Sequence, residues 1–210
     1  MPKKPDLTDR LVDAALRLAT ERGWRHVTLA EIAQAADASL AETYRVMPSR
    51  SAVIDAFARR IDAEVLSADA VEEDSVRPRD RIFDVLMRRF DALQRHRSAV
   101  TAILRDSGRD PLAVIASTPQ FLRSMRWMGE AAGLSMEGLG GLLRTKAIGA
   151  AWATTLRTWL ADQTPDLART MATLDQRLRW AERCGVFGRD RAGAEETEEE
   201  DAAPGAEPAG

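Results

Sequence analysis

The sequence predicts an all-α protein of about nine helices, in which a small N-terminal helical bundle precedes a larger helical domain. Three observations support this prediction. Nearly every segment of the 210 residues has helical rather than strand periodicity in its apolar positions. Gly, Pro and Ser/Thr residues stand where helices are expected to begin or end. About 45% of the residues are apolar, which is enough to bury a sizeable core.

The first predicted helix shows these signals clearly. Thr8 is its predicted N-cap and Gly23 its end. Its apolar stripe consists of Leu11, Ala14, Ala15 and Leu18.

Two short helices joined by a tight turn come next, and this arrangement is typical of a helix-turn-helix motif. Thr28 and Glu31 form a capping box for the second helix, Ser39 caps the third, and Pro48 ends it. In such a motif the second of the two short helices lies in the major groove of DNA while the first braces it. We therefore predict a helix-turn-helix DNA-binding domain at residues 1–66.

The candidate DNA-binding residues lie on and beside the third helix. Its outward positions offer a hydroxyl, a phenol and one guanidinium, which are groups that contact phosphates or base edges. The start of the fourth helix adds a second guanidinium beside free N–H groups, a combination that binds phosphate. The alternative is an ordinary helical hairpin packed on a bundle. The candidates are Thr28, Ser39, Leu40, Thr43, Tyr44, Arg45 and Arg50.

A polar, acidic stretch at residues 67–77 separates this unit from a larger helical domain, which we place at residues 67–190. Trp and Met residues are concentrated after residue 120. Such side chains line pockets for small apolar or lipid-like molecules, and they also form cores and dimer interfaces. The candidate ligand-binding residues are Met125, Trp127, Met128, Trp152 and Trp159.

The last two predicted helices are expected to pair two copies of the chain. The eighth, at about residues 139–160, is apolar around much of its circumference, and a monomer of this size has few places to bury it. A two-fold dimer would place two recognition helices one or more DNA turns apart. The predicted dimer interface on the ninth helix consists of Leu167, Met171, Leu174 and Leu178.

The C-terminal tail differs in composition from the rest of the chain. From Ala192 to Gly210 there are seven acidic residues, no basic residue and no core-forming side chain, so we predict a disordered acidic tail at residues 191–210. The preceding residues are mildly basic, which permits a polyanionic partner. The single cysteine, Cys184, and an N-terminus without an apolar signal segment predict a cytoplasmic protein.

Catalytic and metal-binding patterns are weak. The two histidines, His26 and His96, and the one cysteine show no metal-ligand spacing. The acidic run Glu72–Asp74 lies in a polar stretch where its carboxylates would stay solvated. We therefore predict neither an enzyme nor a bound cofactor or metal.

The run VTLAEIAQAADASLAETYRVMPSRSAVIDAF, residues 27–57, resembles the N-terminal domain of the TetR family of bacterial repressors. The resemblance covers about residues 8–66, and it implies a TetR-like fold that binds operator double-stranded DNA as a homodimer and takes a small apolar effector in its C-terminal domain. Asp37 replaces the usual turn glycine, and Glu42 adds a negative charge that would repel phosphate. The matching residues are Thr28, Ile32, Ala33, Ala36, Ser39, Tyr44, Pro48 and Arg50.

A second resemblance lies in the C-terminal half. The segment TTLRTWLADQTPDLARTMATLDQRLRWAE, residues 154–182, is similar to the coenzyme Q biosynthesis accessory family, whose lipid-binding members share the TetR fold. This resemblance implies an alternative function, a lipid- or quinone-precursor-binding accessory protein of ubiquinone biosynthesis with a relic helix-turn-helix. The amphipathic helix with which that family binds membranes has no counterpart after Gly185, so we expect no stable membrane insertion.

Overall fold

The computed structural model describes residues 6–67, 76–106 and 119–187, and within these ranges all the regular elements are helical. The all-α prediction is confirmed. A single 3₁₀ turn at Trp24–His26 follows the first helix. In chain order the α-helices are α1 Leu7–Arg22, α2 Leu29–Ala35, α3 Leu40–Val46, α4 Arg50–Leu66, α5 Pro78–Gln94, α6 Arg97–Asp106, α7 Pro119–Ala131, α8 Gly138–Ala161 and α9 Ala168–Arg183.

Parts of the predicted organisation lie outside the described residues. These are most of the predicted linker, the first part of the helix expected before Ala131, and the whole acidic tail at 191–210. The boundaries that we placed at residues 66 and 190 remain predictions. None of the helices in the described ranges is long and apolar enough to span a bilayer.

Helix α1 forms the centre of the N-terminal part. Its predicted stripe is buried, from Leu11 at 0% to Leu18 at 6% exposure. The predicted cap is wrong by two residues, because Asp6 accepts a hydrogen bond from the backbone N–H of Leu7 at 2.7 Å and Thr8 lies inside the first turn. Gly23 ends the helix at a φ of 81°, a conformation that favours glycine. The buried face of α1 packs against α2, α4 and α6.

Helix α4 connects the N-terminal helices to the rest of the chain. Its apolar face, including Val53, Phe57 and Ile61, is buried. The helix packs against α1 on one side and against α5 and α7 on the other. A displacement of α4 would therefore change its contacts with α1 and also those with α5 and α7.

Helix α8 packs between α7 and α9, and α9 also contacts α5. The small residues of α8 serve this packing within the chain. A Cβ atom on Gly149 would lie 3.0 Å from the ring of Phe121 on α7, so glycine lets the two helices approach closely. Most of the apolar circumference of α8 is thus covered by the protomer itself.

A buried carboxylate organises the connection between α8 and α9. Asp162 has no exposed surface and accepts hydrogen bonds from the backbone N–H and the hydroxyl of Thr164, at 3.1 and 2.6 Å. It also accepts both donors of Thr170, at 2.9 and 2.8 Å. Burial raises the pKa of Asp162, but these four hydrogen bonds outweigh burial and hold the pKa well below its usual range.

The end of α8 has a second partner in this connection. Arg97, the first residue of α6, donates to the carbonyl oxygen of Trp159 at 2.6 Å, and its guanidinium lies 4.8 Å from the centre of the Trp159 ring. The last carbonyl groups of a helix lack partners within that helix. Arg97 therefore ties the C-terminus of α8 to α6.

We expect Asp162→Asn to lower the free energy of unfolding by about 2–3 kcal/mol at pH 7, because an amide cannot accept all four hydrogen bonds and leaves buried donors unpaired. The folded pKa lies below the unfolded value of about 3.9, so the contribution of the carboxylate is complete above that value and is lost as the pH falls below it. The difference in the free energy of unfolding between Asp162→Asn and the parent protein should therefore become smaller below about pH 4.

Urea unfolding of both proteins between pH 3 and pH 7 measures this difference. Asp166→Asn is the matched control, because Asp166 is exposed and accepts a single bond from the Ala168 N–H, at 3.2 Å. The control should stay within about 0.5 kcal/mol of the parent. Equal effects of the two substitutions would contradict the role given to Asp162.

Candidate nucleic-acid interface and effector cavity

Two capping boxes set the ends of the helix-turn-helix. Thr28 accepts from the N–H of Glu31 and donates its own N–H to that carboxylate at 2.9 Å. Ser39 and Glu42 repeat the arrangement at the start of α3, with the Ser39 N–H donating to Glu42 at 2.9 Å. The first box matches the prediction, whereas the second was overlooked although its Ser-x-x-Glu spacing is visible in the sequence.

The second box changes the interpretation of Glu42. The hydrogen bonds from the side chain and the backbone of Ser39 lower the pKa of Glu42, so its carboxylate stays ionised. A negative charge at the first turn of a helix is favourable for the helix dipole. Glu42 thus stabilises the start of α3 and places a negative charge near its exposed surface.

The turn between α2 and α3 has the strain expected at Asp37. Its φ is 52°, a conformation in which Asp is tolerated less well than Gly. Arg10 on α1 donates to the backbone carbonyl oxygens of Ala36 and Asp37 at 2.8 and 3.3 Å. Arg10 therefore supports this turn from within the chain.

The outer face of α3 carries three exposed side chains of the predicted set. Leu40 is 58% exposed, Tyr44 is 70% exposed, and Arg45 is also exposed. Thr43 was predicted to face outward, and this is wrong. Its side chain is 1% exposed and its hydroxyl donates to the Ser39 carbonyl at 3.0 Å, because the residue sits on the inner side of the helix.

Arg50 is turned toward the protein interior. Its guanidinium donates to the backbone carbonyl of Trp24 and lies 4.5 Å from the centre of the Trp24 ring. Its Nε atom is buried without a hydrogen-bond partner among the described residues. A phosphate contact, as the sequence predicted, would require the side chain to leave Trp24.

A largely apolar cavity of about 220 Å³ lies among α4, α5, α6, α7 and α8. Each of these five helices contributes residues to its lining. Apolar residues of its lining include Ile54, Phe57, Leu93, Ile103, Phe121 and Leu156.

The predicted ligand-binding residues are distributed unevenly around this cavity. Trp152 lines it. Met125, Met128 and Trp159 are fully buried in the core but do not belong to its lining. Trp127 is 54% exposed on α7 and faces solvent. Helical spacing identified apolar residues but not which side of each helix meets the cavity.

A buried polar cluster joins three of the cavity's helices. Arg89 on α5 forms an ion pair with Asp62 on α4, and Ser124 on α7 donates to the same carboxylate oxygen at 2.8 Å. The Arg89 guanidinium also lies 5.3 Å from the centre of the Trp152 ring. Sequence reasoning missed this cluster, because Asp62, Arg89 and Ser124 lie far apart in sequence on different helices and give no local signal.

Helix α6 connects the cavity to the helix-turn-helix. Val100, Ile103 and Leu104 line the cavity, and the last residue of α6 is Asp106. The Asp106 carboxylate accepts from the backbone N–H of Arg25 at 2.9 Å, beside the turn that ends α1. This backbone hydrogen bond, with a smaller contribution from the Arg25 guanidinium, lowers the pKa of Asp106 and keeps it charged.

The residues predicted for the dimer interface lie mostly inside the protomer. Leu167 is 4% exposed, Leu174 and Leu178 have no exposed surface, and Met171 is half-buried. They pack within the chain because the apolar stripe of α9 is covered by α8 and α5. Leu174 and Leu178 are therefore unable to contact a second copy in this fold.

Exposed apolar side chains occur instead at one end of the C-terminal helices. Arg144 on α8 donates to the Val186 carbonyl at 3.0 Å, which places the start of α8 beside the end of α9. Arg126 on α7 reaches Glu137 at 2.6 Å, so α7 ends near the same point. We call the exposed residues there the apolar end patch: Trp127, Leu139, Leu142, Leu143 and Trp180, with exposures from 48% to 81%.

The described helices have the fold of TetR-type transcriptional regulators. A crystal structure of the TetR transcriptional regulator from Nitrosomonas europaea ATCC 19718 matches with a TM-score of 0.65 and 23% identity, covering 85% of this chain and 99% of that one. A TetR transcriptional regulator from Rhodococcus sp. RHA1 matches with a TM-score of 0.62 and 20% identity, covering 83% and 94%. At these identities the likeness establishes the fold.

Comparison of the sequence with protein families and with curated proteins finds no relative. The comparisons do not favour the resemblance of residues 154–182 to the coenzyme Q accessory family. The TetR resemblance noted at residues 27–57 agrees with the fold of the described chain.

The contacts of Arg50 predict that Arg50→Ala lowers the free energy of unfolding by about 1–2 kcal/mol, because it removes a hydrogen bond and a cation–π contact to Trp24. Arg45→Ala is the control, since Arg45 is exposed on the neighbouring helix and should change stability by less than about 0.5 kcal/mol. Thermal unfolding monitored by circular dichroism gives both values. Unchanged stability of Arg50→Ala would return Arg50 to the set of candidate phosphate contacts.

Proposed function

We propose that this protein is a TetR-type transcriptional regulator that binds operator DNA as a homodimer and responds to a small apolar effector in the helical C-terminal domain. The observation that supports this proposal is the exposed outer face of α3, whose N-terminus is held by a capping box, within a fold shared with TetR-type regulators. A cytoplasmic location is part of the proposal, since operator DNA is found there.

The recognition helix offers few groups to DNA. Arg45 is the single cation on α3, Tyr44 supplies a phenol, and Leu40 is placed for apolar contact with a thymine methyl group. Thr28 and Ser39 are also exposed at the starts of α2 and α3, where each hydroxyl already donates to the carboxylate of its capping box, at 2.8 Å to Glu31 and 2.6 Å to Glu42. Residues 1–66 carry ten basic and ten acidic side chains, so we expect modest affinity and a shallow salt dependence.

The effector site of this proposal is the cavity among α4–α8. A ligand that fills the cavity displaces Ile103 and Leu104 on α6, and Asp106 carries that displacement to Arg25 and the end of α1. The ligand changes operator affinity only if it binds the two positions of α6 with different affinity. Two ion pairs, Asp106–Arg25 and Asp62–Arg89, are the contacts that transmit a change in the cavity to the helix-turn-helix, and a change in the helix-turn-helix to the cavity.

The dimer of this proposal uses the apolar end patch rather than the interface predicted from the sequence. Exposed Trp and Leu side chains grouped at one end of a domain are typical of association surfaces. A second copy is the expected occupant, since the same patch on two chains is self-complementary around a two-fold axis.

DNA binding should depend on Arg45 and be weakened by Glu42. Arg45→Ala should reduce the salt slope of binding by about one unit if Arg45 contacts a phosphate, or relax specificity at one position if it contacts a base. Glu42→Gln keeps a side chain that completes the capping box and removes the negative charge, so it should tighten binding to all duplexes. Titrations against duplexes from the protein's own genomic neighbourhood and scrambled duplexes, at two salt concentrations, measure both effects.

Arg177→Ala is the control for these titrations, because Arg177 is exposed on α9 in the C-terminal half. It should leave affinity and salt slope unchanged. If the parent protein shows no salt-sensitive binding to any of these duplexes, the regulator proposal fails.

The proposed dimer should have twice the 23.1 kDa mass of the chain in light scattering at micromolar concentration. Leu143→Glu should shift the mass toward the monomer, because dimerisation would bury an unpaired charge. Gln163→Glu adds a negative charge at the opposite end of α8, where the residue is exposed, and should leave the dimer intact. A dimer that survives Leu143→Glu would exclude Leu143 from the interface.

A further inference from the structure

Two buried hydrogen-bond donors belong to residues in the cavity wall and have no acceptor in the part of the chain that the structure describes. Arg89 is 4% exposed and Trp152 is 5% exposed, and both line the cavity. The two donors are Arg89 Nε and Trp152 Nε1. Because buried polar groups in proteins are nearly always paired, two such donors beside one cavity indicate an acceptor that the described residues do not supply.

The side chains that carry the two donors are neighbours. The Arg89 guanidinium carbon lies 5.3 Å from the centre of the Trp152 ring, which also contacts the rings of Phe90 and Phe121. A single polar group on a ligand beside this pair would therefore lie near both side chains, while most of the remaining lining of the cavity is apolar.

The charges around the cavity decide what kind of acceptor fits. The positive charge of Arg89 is already balanced by Asp62, whose carboxylate also accepts from Ser124. Asp55 adds a further carboxylate to the cavity lining. An anionic ligand would therefore meet the Asp55 carboxylate and a guanidinium whose charge Asp62 already balances, so the loss of its hydration would not be offset. A neutral acceptor such as a carbonyl oxygen avoids this cost.

The size of the cavity limits the ligand. An apolar protein cavity of roughly 150 Å³ holds benzene. The present cavity measures about 220 Å³, which corresponds to a compact bicyclic ring system of about ten non-hydrogen atoms.

From these observations we infer that the cavity takes a compact, neutral, mainly apolar molecule that directs one hydrogen-bond acceptor at Arg89 and Trp152. The inference rests on the proposed effector site and names the chemistry of its ligand. The apolar rings of Phe121 and Trp152 hold the body of the molecule, and the two donors select for its acceptor.

Four probes of one ring system test this chemistry: 1-indanone, indane, 1-aminoindane and indane-1-carboxylate. They represent, in order, a neutral acceptor, no polar group, a cation and an anion. We expect 1-indanone to bind about tenfold more tightly than indane, since one hydrogen bond to buried donors distinguishes them. The anion and the cation should bind more weakly than 1-indanone.

The indole N–H signals of ¹⁵N-labelled protein report on the hydrogen bond directly. The chain has five Trp residues, and Trp152→Phe and Trp159→Phe assign two of the signals. On titration with 1-indanone the Trp152 signal should move downfield, as expected for a newly formed hydrogen bond, and indane should not produce this shift. The measurement uses the unmodified parent chain, so it does not depend on how well a variant folds.

Trp159→Phe is the matched control for Trp152→Phe. Trp159 Nε1 is likewise buried without a partner, but Trp159 does not line the cavity. Trp152→Phe should reduce the preference for 1-indanone over indane by about half or more, whereas Trp159→Phe should retain it. Equal binding of 1-indanone and indane, tightest binding of either charged probe, or no binding of any probe would overturn the inference.

The effect on DNA is measured separately, so that the two proposals fail independently. A preference for 1-indanone in a protein that shows no salt-sensitive DNA binding would support the ligand chemistry and reject the regulator. DNA binding without any preference among the four probes would support the regulator and reject the ligand chemistry.

Discussion

The arrangement of the whole molecule depends on one buried carboxylate, Asp62 on α4. It pairs with Arg89 on α5 and accepts from Ser124 on α7, so three helices from different parts of the chain meet at one charge. Removing either charged partner would leave the other buried and unpaired, which is strongly destabilising. Since α4 begins shortly after α3, the helix that carries Asp62 also links the helix-turn-helix to the cavity.

Many of the charged residues near the proposed DNA-binding face serve the fold first. Arg10 supports the turn after α2, Arg50 is held by Trp24, and Glu42 caps α3. The few cations near this face therefore serve largely to stabilise the N-terminal helices themselves. This explains how residues 1–66, whose basic and acidic side chains balance, still have well-defined helix ends, and why Arg45 is left as the cation on the exposed face of α3.

The cavity and the polar contacts around it form one connected system. Arg89 lines the cavity and pairs with Asp62 behind it, α6 forms one side, and Asp106 at the end of α6 accepts a hydrogen bond from the turn before α2. The hydrogen bond from Arg25 to Asp106 joins the end of α6 directly to the turn that precedes α2. The donors of Arg89 and Trp152 that lack a partner among the described residues belong to the same wall, so the proposed ligand site coincides with contacts that hold α4, α5 and α7 together.

The sequence by itself determined the helical class, the positions of most helix ends and the existence of the helix-turn-helix, because periodicity and capping are local properties of the chain. Local spacing also identified the apolar residues of α7, α8 and α9. Only the tertiary structure decided which of them face the cavity, the core or solvent: Trp152 lines the cavity, Leu174 is enclosed by neighbouring helices, and Trp180 remains exposed. The reason is that a helix of mainly apolar residues shows its period but not which neighbour covers each side, and that depends on contacts between residues far apart in sequence.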